Sequence, residues 1–253
     1  MSKHAHRRIG CAVFLVILGT GFTAQAGPPF LTDDPVPIPY RHKEFYLFST
    51  FDKAVDGKTA QVPAIEFNYG FAPDFMFHMV IPYMMIYPDT GEIGRGIGDI
   101  EVGVKYRFLH ETATTPQVGI FPFIELPAGN ASRGTGNGQV WYRIPIWAQK
   151  SWGPWTTMGG GGYVINHAPE MRNYWFGGWQ LQRTLNNSLT LGGEIFTQQS
   201  DTTTGSGSTF LTFGGYYSMN FCRCQLLFDL GHTIAGARHT IGYLGLYWTW
   251  GPT

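Results

Sequence analysis

Asp99, Glu101, Lys105 and Arg107 stand at alternate positions in the run from Gly98 to Leu126, GDIEVGVKYRFLHETATTPQVGIFPFIEL. Ile100, Val102, Val104, Tyr106 and Phe108 fill the places between them. Side chains two apart share one face of an extended strand, so four charges of both signs lie on one face and a wholly apolar row on the other. The same parity in other segments adds Glu66, Glu125, Arg143, Glu194 and Asp229 to the charged set. Facing inward in a barrel, such residues can pair across strands and fill the lumen, or line a polar pathway that selects solutes by charge. Structural ion pairs are common, so the paired network is the reading taken.

Catalytic chemistry finds no support. The chain has no HExxH, GxSxG or GxxxxGK[ST]. Gly94-Arg95-Gly96-Ile97-Gly98 imitates a dinucleotide loop, but leads into a strand instead of opening a helix. His42, His78, His110, His167, His232 and His239 show no ligand spacing, so neither metal nor cofactor is expected. Cys222 and Cys224 would share a strand face, where a mutual bridge is strained. They read as two small residues near a turn, since C-x-C alone is a poor metal signal.

The elements that must position these charges are strands. Alternation and punctuation mark twelve: Glu44–Asp52, Gln61–Gly70, Phe75–Tyr87, Asp99–His110, Pro116–Leu126, Gln139–Lys150, Trp155–Ile165, Tyr174–Thr184, Leu189–Gln199, Thr209–Met219, Cys224–Ile234 and Thr240–Trp250. Each is close to the length that a tilted strand needs to cross a bilayer. Every second connection is longer and polar: Lys53–Ala60, Pro88–Gly98, Pro127–Gly138, Asn166–Asn173 and Ser200–Ser208. The intervening ones are short, and the last long-side gap, Ala235–His239, is also short. Long loops at one end and tight turns at the other are expected of an all-β, transmembrane, antiparallel up-and-down barrel with short periplasmic turns and longer extracellular loops. Aromatic girdles are expected from Tyr87, Trp141, Trp152, Trp155, Tyr174, Trp175, Trp248 and Trp250. The run Gly159–Gly162 relieves curvature or makes room for inward aromatics.

Composition and targeting agree. The chain has 253 residues, 34 of them glycine, with 16% aromatic and only 13% charged residues, against about 25% charged in ordinary soluble domains. Residues 1–26 read as a signal peptide: Lys3, Arg7 and Arg8, then an apolar core from Cys11 to Gly19, then Ala24-Gln25-Ala26 as a cleavage site, with cleavage after Ala26. Its removal leaves a slightly acidic chain, which implies no nucleic-acid partner. Residues 27–42, GPPFLTDDPVPIPYRH, hold too many prolines for helix or central strand. They form an extended lead-in, either a periplasmic tail or a segment tucked into the pore; the tail is the reading taken. Residues 43–253 form the barrel. The partners expected are outer-membrane lipid, the barrel-assembly machinery and a small-molecule solute.

Several runs together resemble the bacterial outer-membrane proteins grouped under the meta-pathway of phenol degradation. They are Pro28-Pro29-Phe30-Leu31-Thr32-Asp33-Asp34-Pro35, the strand from Gly96 to Phe108, Phe121 to Pro127, Lys150 to Thr157 and Gly161 to Asn166. The resemblance runs from about Pro28 to Trp250. It implies a transmembrane barrel with a transporter role, and says little about the solute. One departure stands out: Gly251-Pro252-Thr253 follows Trp250, where many outer-membrane barrels end on an aromatic residue.

Overall fold

The computed structural model describes residues 29–252, so the expected signal peptide lies outside the described residues. Fourteen strands follow in order: β1 (Lys43–Lys53), β2 (Gly57–Ala72), β3 (Phe75–Pro88), β4 (Gly94–Ile97), β5 (Ile100–Leu109), β6 (Gln117–Ile120), β7 (Phe123–Leu126), β8 (Trp141–Trp152), β9 (Trp155–Ile165), β10 (Tyr174–Thr184), β11 (Leu189–Gln198), β12 (Ser208–Met219), β13 (Cys224–Gly236) and β14 (Thr240–Trp250). All pairings are antiparallel, and β14 returns to pair with β1 from Lys43↔Trp250 to Lys53↔Thr240. Both barrel ends of the chain therefore lie at the same rim.

Fourteen segments make twelve wall positions. β4 and β5 both pair with β3, on either side of an offset at Gly98 whose amide donates to the Pro82 carbonyl. β6 and β7 are one strand interrupted at Phe121-Pro122, since Pro122 has no amide to give the ladder. The wall stays joined there because the Val104 amide donates to the Pro122 carbonyl and the Phe121 amide to that of Pro145. The result is the expected closed barrel of twelve antiparallel strands.

The hairpin β1–β2 is tighter than expected. Hydrogen-bonded pairing continues to Lys53↔Lys58, which leaves only residues 54–56 for the loop.

Burial follows the alternation. In β1, Glu44, Tyr46 and Phe48 are buried while Leu47 and Phe51 are exposed, and the outward row elsewhere includes Ile146, Phe213, Leu230 and Leu244. Phe213 is 64% exposed and Leu230 60%. An outward surface of this kind is stable only against an apolar medium. The inside is richer in rings than a polar lumen would be. One cluster joins Ile38, Met76, Phe121, Trp147, Phe176, Phe196 and Phe210, and a second joins Phe30, Tyr46, Phe48, Tyr216, Leu227 and Tyr247. Gly160 faces Trp147 across the β8–β9 pair, and a Cβ there would strike the Ile146 carbonyl and then the indole ring. The glycine run does make room for an inward aromatic.

Two expected girdle residues face inward. Trp141 and Tyr174 pack against the first interior cluster, because Trp141 has the parity of Arg143 and Trp147, and Tyr174 that of Phe176. Of the others, Tyr87 and Trp175 lie exposed at the long-loop end, with Trp175 against Tyr163. Trp152, Trp155, Trp248 and Trp250 sit at the short-turn end. Cys222 and Cys224 are joined in a disulfide, which corrects the reading of two unlinked small residues. Cys222 belongs to the turn and not to the strand, and Arg223 between them takes a left-handed φ of 49°, so the two side chains converge.

Candidate functional site: the threaded lumen

The proline-rich lead-in lies inside the barrel, and this corrects its reading as a tail. Phe30, Thr32, Asp34 and Ile38 are all buried. Prolines keep the segment extended, so its amides and carboxylates turn to the wall for partners. Glu194 on β11 accepts the amide of Leu31 at 3.1 Å and also that of Thr32. Lys105 on β5 donates to Asp33 at 3.0 Å and to Asp34 at 3.4 Å. The wall is cut to fit. A Cβ at Gly178 would strike the Thr32 hydroxyl, and one at Gly119 would lie 2.8 Å from the Pro35 carbonyl oxygen.

Beside the segment a cavity of about 530 Å³ remains, within the range of small-molecule sites. One wall is acidic. Glu44 accepts from Tyr247 at 2.8 Å and from the Asn68 amide at 3.1 Å, which also donates to Glu66 at 2.8 Å. His78 stands at the centre of this wall, with Nδ1 2.8 Å from Asn68 Oδ1 and Nε2 2.6 Å from Glu101 Oε1. The Phe121 ring meets the His78 ring edge-on and also lies under the Lys105 ammonium. The other wall, on β8, carries Arg143, whose guanidinium carbon is 4.0 Å from the centroid of Phe176 and 5.6 Å from that of Phe123.

The nine charges singled out from sequence do not form one network. Glu66, Glu101, Lys105 and Arg143 line the cavity. Glu194 holds the segment from the opposite side, and Asp229 is buried on β13. Glu125 is half-buried on β7, directly across from Glu101. Arg107 lies toward the short-turn rim, where it donates to Asp74 at 2.7 Å and to Gln117 at 3.0 Å. Asp99 lies at the long-loop rim and accepts the amides of Gly129 at 3.0 Å and Asn137 at 2.8 Å, tying down a loop. The four charges of the opening strand thus reach four separate sets of partners instead of bracing one another.

Asp74 sits in the β2–β3 turn at the rim. Burial pushes its carboxyl up, but hydrogen bonds from Arg107 and His110 outweigh that and hold it below the usual carboxylate range.

Sequence reasoning missed His78, Asn68 and the pair Asp33-Asp34. His78 shares the parity of Met76 and Val80 on β3, and that parity was the only available signal.

A closed twelve-strand antiparallel barrel with an apolar exterior and a charged, partly filled lumen is the architecture of outer-membrane barrels. Among solved structures the chain is similar to an outer membrane channel from Pseudomonas putida F1, with a TM-score of 0.71 at 11% identity over 86% of this chain and 98% of that one. It is also similar to the NanC porin (TM-score 0.55, 9% identity, 81% and 98% covered). A third is the translocator domain of the autotransporter NalP from Neisseria meningitidis (TM-score 0.53, 10% identity, 81% and 88% covered). At these identities the likeness is one of fold. No protein-family model matches the chain, and no curated protein matches it.

Proposed function

We infer that the protein is an outer-membrane channel for passive passage of small solutes, aromatic or apolar ones included. The observation that carries this reading is the cavity between the threaded segment and the wall, inside a barrel whose outer face is apolar. Solutes would pass alongside the segment, so passage is restricted to small molecules. The likeness to channel and porin folds supports a non-enzymatic role. The motif resemblance supports a place among the barrels grouped under the meta-pathway of phenol degradation. On this reading residues 1–26 direct export, assembly machinery inserts the barrel, and lipid covers its outer face.

A second reading is a closed structural barrel. It is favoured by the double anchoring of the segment on Lys105 and Glu194. Liposome swelling separates the two. A channel admits small neutral solutes and excludes larger sugars, whereas a closed barrel of verified heat-modifiable gel migration gives no swelling above protein-free vesicles.

A further inference from the structure

We propose that Arg143 is a carboxylate-binding residue of the lumen, and that the preferred solute is a small monocarboxylate with an apolar or ring-shaped body. This deepens the channel reading and rests on it for transport, though not for binding.

Arg143 differs from three other wall cations. Lys105 is matched to Asp33 and Asp34, Arg107 to Asp74, and Lys150 to Glu111. Arg143 has no ion pair or hydrogen bond among the described residues, and its buried Nε lacks a partner. Aromatic rings hold it instead: Phe176 lies under the guanidinium, and Phe123 stands directly across the β7–β8 pair. A ring stacked on the guanidinium plane leaves the donor edge free. That edge belongs to a residue lining the cavity.

A guanidinium edge presents parallel N–H donors that match the two oxygens of a carboxylate. Water competes poorly among rings, so a charge-assisted bond formed there is strong. The body of the solute would rest on Phe121, Phe123 and Trp147, which line the same cavity. The acidic wall sets the limit on charge. Glu44, Glu66 and Glu101 repel a second anionic group, so the geometry orients one carboxylate toward Arg143 and rejects dicarboxylates.

The test uses the mature protein in detergent, with benzoate, benzyl alcohol and benzylammonium as probes of one shape and three charges. Binding is measured by titration calorimetry and transport by flux into proteoliposomes. Benzoate should bind in preference to both others. Arg143→Gln should weaken it about tenfold or more, the loss expected for one charge-assisted pair. Arg143→Lys, which keeps the charge and loses the fork, should fall between. If Arg143→Gln fails to fold, Arg143→Lys decides alone. Absence of benzoate binding, equal binding by these variants, or tighter binding of benzylammonium overturns the assignment. Arg143-dependent binding without flux overturns the channel reading and leaves the site standing; flux that ignores Arg143 does the reverse.

Discussion

Replacing Lys105 with methionine removes the cation that Asp33 and Asp34 share inside the barrel. Lys105 is only 4% exposed and Asp34 only 3%, so the Asp34 carboxylate cannot turn to bulk water without moving the segment. Breaking a buried pair by removing one partner costs about 3–5 kcal/mol, because the remaining charge is left uncompensated. Relief comes either by protonating Asp34, which burial already favours, or by residues 31–35 leaving the wall. At 1.4 kcal/mol per tenfold, the undocked fraction should rise by up to about two to four orders of magnitude. A Thr32→Cys reporter reads this directly, since Thr32 is fully buried while the segment is docked. Its maleimide labelling should be slow in the parent and faster by about that factor with Lys105→Met, provided that opening is fast relative to labelling. Adding Asp33→Asn and Asp34→Asn should restore much of the protection, since removing both sides of a buried pair costs far less than removing one. Labelling that is already fast in the parent, or unchanged by Lys105→Met, would refute the argument that this pair anchors the segment.

Three further outcomes are expected. Gly178→Val crowds the side chain at position 32, so the same reporter should label faster while the barrel keeps its heat-modifiable migration. Phe213→Arg puts a charge on the outward face of β12 and should destabilise the protein in lipid vesicles by about 2–4 kcal/mol, the penalty for a cation near the bilayer midplane; no loss in a folding titration would count against lipid contact there. For Asp74, the folded-state carboxyl is held below its ordinary 3.8. Its contribution is therefore present above that value and lost as pH falls through the depressed one. Melting temperatures of the parent and Asp74→Asn should differ at pH 6 and converge as the pH falls well below 3.8; a gap that widens on acidification would contradict the pairing with Arg107.

The wall was legible because a half-buried strand cannot hide its period. Ile100 to Phe108 shows apolar and charged rows at once, and the loop lengths then decide which row meets lipid. The interior was harder. Trp147 and Phe176 face inward among polar neighbours, and their parity shows only when the register to Gly160 and Gly162 is known. Trp141 and Tyr174 failed as girdle residues for the same reason: position at a strand end indicates depth, not face. That the lead-in is neither helix nor strand is legible, because proline fixes backbone and removes donors. Where an extended segment lies depends on partners 71 and 162 residues away, Lys105 for Asp34 and Glu194 for Thr32. Local pattern carries no trace of such pairs. His78 is not legible because a single histidine in an apolar run has no spacing to read, and only the pairing of β2, β3 and β5 brings Glu66 and Glu101 to it.

Single-channel current across a planar bilayer tests the central claim most directly. The folded mature protein should give small, discrete conductance steps, and these should grow when Lys105→Met frees the segment. A heat-modifiable barrel that inserts yet carries no current, with Lys105 or without it, would contradict the account.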